Sequence, residues 1–197
     1  MSEAQAQRLR AALLDPQAAQ KIEVAGSVAA AVLAPLFVRD GELHVVFTKR
    51  RSDLRLHAGQ VSFLGGRREQ TDADLIETAL REAHEEIGLE PAEVAVLGAL
   101  PPTPTVVTDI AIYPIVGLID EPARAWIVDE REVESVIEVS LRVLAATHRL
   151  QTFTRTSGRS VTTDAYTAGE HTIWGATGRI VTDLLERIEI DPGGRPA

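Results

Sequence analysis

No cysteine occurs anywhere in this chain, so a disulfide framework is excluded. Positive charge is scarce as well: 20 Lys and Arg stand against 29 Asp and Glu, a net charge of -9. That balance argues against broad nucleic-acid binding, which needs a basic face to release counterions from the phosphate backbone. An anionic substrate would have to be received by a metal ion or a local arginine cluster. Long hydrophobic runs are missing too; no segment approaches the ~18 unbroken apolar residues of a membrane span, so no membrane partner is expected. Residues 1–7 are polar and acidic rather than a basic run leading into an apolar one, so no secretory signal is visible and a cytoplasmic location is expected. The five histidines show no ligand spacing, and none is assigned to a metal.

What remains is ordinary globular composition, 45% apolar and 25% charged over 197 residues, which predicts one domain spanning 1–197. Residues 3–14 carry Leu9, Leu13 and Leu14 at helical spacing before Asp15-Pro16 interrupts. An apolar run at 27–38, the turn pair Asp40-Gly41 and an alternating run at 43–48 predict a hairpin entering the core. Residues 61–64 read as a short strand ending at Gly65-Gly66, and 72–88 as a helix with Leu75, Ala79, Leu80, Ala83 and Ile87 on its apolar flank and Gly88 as its stop. Strands at 94–100 and 110–119 flank Pro101, Pro102 and Pro104, which read as a surface loop. A helix at 139–146, a hairpin of 152–156 with 161–166 around Ser157-Gly158, a closing helix at 175–188 and a frayed tail at 191–197 complete the chain. With no internal repeat and no dividing linker, the expected class is α/β, a mixed β-sheet covered by helices.

The strongest chemical signal is Arg81-Glu82-Ala83-His84-Glu85-Glu86-Ile87-Gly88-Leu89. Glu82, Glu85 and Glu86 stand at i, i+3 and i+4, which puts three carboxylates on one helical face. Alone, such a run reads as a solvated helix face. Like charges so close repel, however, and a hard divalent cation with oxygen ligands is their natural partner; magnesium or manganese (Mg2+ or Mn2+) is expected. Such an ion bridges phosphate oxygens and lowers the pKa of bound water, which makes diphosphate hydrolysis feasible near neutral pH. Upstream, Phe63-Leu64-Gly65-Gly66 offers two adjacent glycines between a strand and the helix, predicting a tight loop whose backbone approaches a metal or phosphate.

At these residues the chain resembles the Nudix hydrolase family, whose box reads Gly, five residues, Glu, seven residues, Arg-Glu, an aliphatic residue, any residue, Glu-Glu, any residue, Gly and an aliphatic residue. The second half matches throughout. In the first half Asp72 stands where the box has Glu, and eight residues rather than seven separate it from Arg81. That variant, with the run from Thr78 to Glu82, resembles the coenzyme A pyrophosphatase branch. A preceding motif of the same branch is matched by Arg51-Ser52, Leu54-Arg55, His57, Gly59, Val61 and Phe63-Leu64-Gly65-Gly66, with Leu64 where the branch has Pro. Ile173-Trp174-Gly175-Ala176-Thr177 is similar to the start of its last helix.

The resemblance implies a Nudix-like α/β/α sandwich. It implies Glu82 and Glu86 as metal ligands, Glu85 as a further or water-mediated one, Gly66 offering its carbonyl, and Arg81 orienting a glutamate through charge-assisted contacts. Glu82, Glu85 and Arg81 are thus the catalytic candidates. Positive charge at Lys49, Arg50, Arg51, Arg55 and His57 suits a polyanion, with Arg51, Arg55 and His57 on motif positions as substrate-binding candidates. The general base stays open among Glu82, Glu85, Glu121, Glu132, Glu134 and Glu138. The implied activity is hydrolysis of the coenzyme A diphosphate to 3',5'-ADP and 4'-phosphopantetheine. The alternatives are another diphosphate such as ADP-ribose, or a non-catalytic nucleotide-binding regulator, whose usual mark would be loss of a box glutamate; all are present. A homodimer is expected from the apolar N-terminal helix and from habit in the resembled family.

Overall fold

The computed structural model describes residues 2–54, 58–105, 109–122, 125–154, 158 and 160–188. Its centre is a mixed eight-stranded sheet. Strands β1 (Val28–Arg39) and β2 (Glu42–Arg50) form the expected hairpin, pairing Leu36 with Val45 and Arg39 with Glu42. Asp40 and Gly41 make the turn with positive φ of 53° and 80°, as a tight hairpin with right-handed strand twist requires. Beyond Leu36 the two strands separate. The gap is filled by β3 (Val61–Ser62), which pairs with β2, and β4 (Leu64–Arg67), which pairs with β1.

On its other side β1 runs parallel to β7 (Ile110–Leu118), the single parallel pair of the sheet. β7 in turn pairs with β5 (Ala95–Ala99) and with β6 (Thr103–Pro104). The proline-rich stretch is therefore partly sheet rather than wholly loop: Thr103 and Pro104 lie opposite Ile112 and Ala111. β8 (Val133–Ser140) borders β2 and had no counterpart among the sequence-based expectations; the helix expected from residue 139 begins only after it, as α4 (Leu141–Thr147).

Alternation along the strands divides the core in two. Leu36, Val45, Phe47, Val61 and Phe63 face one side, with Leu144, Ile180 and Leu184, whereas Leu33, Phe37, Val46 and Leu64 face the other, with Ala79, Ala83 and Ile87. Helix α3 (Leu75–Ile87) covers the second side. The first is covered by α4, α5 (Gly175–Arg187) and a small antiparallel sheet of β9 (Arg149–Thr154), β10 (Ser160–Ala168) and β11 (His171–Trp174). This is the expected α/β/α sandwich.

The N-terminal segment braces α3. Helix α1 (Glu3–Ala12) opens with a capping box between Ser2 and Gln5 and buries Leu9, with Leu13 just past its end, in the first core; it stops two residues short of expectation because Leu14 bridges to Ala99 in β5. A short helix missed in the sequence, α2 (Pro16–Ala19), follows the Asp15 cap. From it Gln17 donates to Asp74 at 2.8 Å, and Gln20 accepts from the Leu75 N–H at 2.9 Å. The apolar face that suggested a homodimer is thus occupied within this chain. Among the described residues no helix is long and apolar enough to cross a membrane.

Candidate active site

Helix α3 begins three residues later than the pattern suggested. Asp74 is its N-cap, accepting from the Ile76 and Glu77 N–H groups at 2.9 and 3.0 Å, and Gly88 closes it in the left-handed conformation at φ 68°. Its inward face carries Leu75, Thr78, Ala79, Ala83 and Ile87, and also Glu86, which is only 6% exposed. Residues four apart share a face, so Glu82 lies one turn before Glu86 toward the same strands. Glu85 does not follow: its side chain is 55% exposed and is held by Arg81 at 3.1 Å. The expected face of three carboxylates is therefore an inner pair plus one outer residue. Among the described residues no group of three His, Asp or Glu is already gathered as for a metal ion.

The glycine pair opposes the inner pair, but as strand rather than loop. In β4, Gly65 lies across from Val32 and Gly66 from Ala31, and Leu64 is a fully buried strand residue opposite Leu33. Leu64 accordingly fills the second core. The reason for two glycines is close approach. A Cβ on Gly65 would sit 2.3 Å from the Ala31 carbonyl, and one on Gly66 would sit 2.3 to 2.7 Å from the Glu82 carboxylate. Only a residue without a side chain lets Glu82 lie against the strand.

The electrostatics separate two kinds of acid. Asp72, 4% exposed, receives both Nε and Nη2 of Arg81 at 2.9 and 3.1 Å, the Thr78 hydroxyl at 2.9 Å and the Glu69 N–H at 2.9 Å. The Arg81 guanidinium holds its carboxyl well below the usual range, and Asp72 above all raises that of Arg81. Arg81 also donates to the Arg67 carbonyl and, through Nη1, to Glu82 at 3.0 Å. Asp72 is its main anchor.

Glu86 has no such partner. Burial first, then repulsion from Glu82, pushes its pKa up to about 8; the Gly65 N–H and Arg50 offset this, Glu132 adds to it, and the Thr48 hydroxyl lies at 3.4 Å. Glu82 is shifted upward as well, by burial and by the charges of Glu85 and Glu132, with Arg81 acting against them. A buried carboxylate, Glu86, beside the half-buried Glu82, with too little positive charge and packed on a bare glycine backbone, forms an oxygen-donor set that suits a hard divalent cation. Glu82, Glu86 and the Gly66 backbone fit that ion, and Glu85 could reach it only by leaving Arg81.

The remaining candidates divide as follows. Lys49 is paired with Glu134 at 2.6 Å, Arg50 with Glu132 at 3.4 Å, and Arg51 with Asp53 at 2.8 Å and the Glu130 carbonyl at 3.0 Å. Arg55 and His57 lie outside the described residues. Arg39 holds both Glu121 and Glu138 at 2.7 and 2.8 Å, and Trp126 donates to Glu138. Of the distant carboxylates considered as bases, only Glu132 is felt at both Glu82 and Glu86. It arrives at the mouth of β8, and the segment before it is fastened to α3 by the Ile127 and Asp129 N–H groups, which donate to the Ile87 and Glu86 carbonyls. The alternation of 133–140 was the signal that could have located it.

A family model for the NUDIX domain matches residues 28–158. Proteins named "Uncharacterized Nudix hydrolase NudL" from Salmonella paratyphi B and Salmonella newport are each 40% identical over 167 residues, covering 83% of this chain and 84% of theirs. A MutT/nudix family protein from Enterococcus faecalis shares the fold with a TM-score of 0.54 at 14% identity, over 87% of this chain and 67% of its own. Members of the family generally use divalent metal ions, in keeping with the under-neutralised carboxylates beside Gly66. The chain belongs to the Nudix hydrolase family.

Proposed function

We propose that this protein hydrolyses the diphosphate of coenzyme A or its acyl derivatives to 3',5'-ADP and 4'-phosphopantetheine, using magnesium or manganese. The observation that carries the chemistry is the inner pair Glu82 and Glu86 against Gly66, repelling one another with too little compensating charge. The substrate rests on the motif of Arg51, Arg55, His57 and Gly59 ahead of the box and on the Asp72 variant within it. Held by Glu82 and Glu86, a divalent ion would supply Lewis-acid stabilisation of the charge that develops on the leaving group.

In this reading Glu82 and Glu86 hold the metal with the Gly66 carbonyl, and Glu85 contributes directly or through water. Arg81, anchored by Asp72, fixes the direction of Glu82. Glu132 takes the proton of the attacking water: Arg50 meets it only at 3.4 Å and its charge reaches both inner carboxylates, whereas Arg39 and Lys49 hold Glu121, Glu138 and Glu134 at 2.6 to 2.8 Å. Arg51, Arg55 and His57 meet the substrate's phosphates. The protein acts in the cytoplasm; a homodimer would rest on the habit of the resembled family alone, and light scattering at micromolar concentration checks it.

Product analysis after incubation with coenzyme A, ADP-ribose and a dinucleoside polyphosphate tests the substrate. Release of 3',5'-ADP from coenzyme A is expected; brisk cleavage of ADP-ribose with none of coenzyme A would overturn the assignment and leave the diphosphate chemistry standing. Arg55→Ala should raise KM for coenzyme A about tenfold to a hundredfold, and less for its 3'-dephospho form, through loss of a charge-assisted contact. Equal losses on both substrates would mean that Arg55 does not read the 3'-phosphate.

A further inference from the structure

On the face of the sheet opposite α3, a cavity of about 410 Å³ opens between β2, β3 and β11. Lys49, Val61, His171, Thr172 and Trp174 line it, with Gly59 and Glu170 also at its wall. Thr48 reaches Glu86 on the α3 side, so Lys49, the next residue along β2, belongs to the other face. The cavity thus begins one residue from the site described above, across the thickness of the sheet. Its volume is that of a small-molecule site.

The lining selects a class of ligand. Lys49 is already met by Glu134 at 2.6 Å, and Glu170 adds a further negative charge, so the cavity lacks the surplus cation that a phosphate needs. What it offers is both senses of hydrogen bonding: the Lys49 ammonium donates, Glu170 accepts, and the Thr172 hydroxyl and the His171 ring can do either. Beside them stands the Trp174 indole. Its ring is stacked on Phe153 at 4.2 Å with an interplanar angle of 13°, which fixes its plane before any ligand arrives. A neutral planar heterocycle with donors and acceptors on its edge satisfies all of these groups; a bare anion or an aliphatic chain satisfies few.

We propose that this cavity is a nucleobase subsite, taking a purine ring on Trp174 with its edge read by Lys49, Thr172, His171 and Glu170. That the purine is the adenine of coenzyme A rests on the function proposed above. In that reading the diphosphate would lie at Glu82 and Glu86 and the base on the opposite face of the sheet.

Intrinsic fluorescence tests the proposal, since the chain has two tryptophans and Trp126→Phe leaves Trp174 as the sole reporter. The full chain carrying that substitution is titrated with 3',5'-ADP and with adenosine in EDTA, so that no metal contributes. Saturable quenching by both ligands is expected, weakened about tenfold in Lys49→Ala or His171→Ala, an effect of one lost polar contact, and retained in Glu86→Gln. No saturable quenching by either ligand, or quenching indifferent to both cavity substitutions, overturns the subsite. Quenching by 3',5'-ADP but not by adenosine also overturns it, because the phosphates rather than the base would be the group bound. Coenzyme A hydrolysis is scored separately: its absence alongside quenching removes the substrate assignment and keeps the subsite.

Discussion

The two ends of α3 treat negative charge in opposite ways. At its start, Asp72 is buried among donors and locked to Arg81, and its carboxyl is held well below the ordinary range. About three turns further along the helix, Glu86 is as deeply buried, yet Glu82 and Glu132 outweigh Arg50 and the Gly65 N–H around it, and its pKa rises to about 8. Burial is common to both, so burial does not distinguish them. The difference is whether the chain supplies its own cation. Where it does, the acid is part of the scaffold; where it does not, the fold carries an electrostatic cost that a bound divalent ion would relieve.

The sharpest way to break that distinction is to neutralise one acid of each kind. Glu86→Gln should lower kcat at least about a hundredfold by removing an anionic ligand at constant shape, and should leave the metal-free melting temperature unchanged or higher. Steady-state kinetics with magnesium and thermal denaturation in EDTA measure both. Asp72→Asn should do the reverse in the metal-free protein, costing about 2 to 4 kcal/mol in chemical denaturation because Arg81 loses its main partner in a buried setting. The gap between wild type and Asp72→Asn should close as pH falls below about 4, since a depressed carboxyl contributes only while it is ionised and its unfolded counterpart takes up a proton there.

Titration sharpens the comparison from the other side. Glu86 is raised from an ordinary 4.5 to about 8, so between those values the folded chain keeps a proton that the unfolded chain has released. Metal-free stability should therefore fall as pH rises across that window, and Glu86→Gln should remove this component of the slope. The same proton must leave when a metal ion binds. At pH 7 in weak buffer, adding magnesium or manganese to wild type should release about one proton, read with an indicator dye, and Glu86→Gln should release markedly less.

Much of this was legible in the sequence, because periodicity and spacing are local. Helix α3, expected at 72–88 and found at Leu75–Ile87, and the placing of Glu82 beside Glu86 follow from residues three or four apart, and the hairpin turn from the adjacent Asp40-Gly41. What escaped depended on distant partners. Nothing near Glu85 says that Arg81 will draw it outward, since that depends on Asp72 fixing the guanidinium nine residues away. Gly65-Gly66 reads as a turn because glycines usually mark one, and its strand conformation becomes apparent only once Ala31 and Glu82 press against it. Pro104 reads as loop because proline lacks the N–H of a sheet ladder, yet a short outer strand tolerates it where that N–H is not needed. Nothing in the sequence sets Glu132 apart from the other distant acids; its charge reaches Glu82 and Glu86 only in space, while Arg39 and Lys49 hold Glu121, Glu138 and Glu134.

The smallest effect concerns how the start of α3 is held from outside the helix. Asp74 already caps the Ile76 and Glu77 N–H groups, which leaves the Leu75 N–H to be satisfied by Gln20 at 2.9 Å, while Gln17 donates to the Asp74 carboxylate. Gln20→Ala removes an acceptor from a part-buried donor, so it should cost about 1 kcal/mol in chemical denaturation, a typical value for one such hydrogen bond. Gln17→Ala should cost less, because its bond is exposed and solvent can replace it. Neither residue touches the inner carboxylates, and kcat with saturating metal should stay within about twofold of wild type, a shift of under 1 kcal/mol in the barrier. A large loss of kcat in Gln20→Ala with stability unchanged would show that the N-terminal segment sets the position of Glu82 and Glu86, rather than only bracing the helix on which they stand.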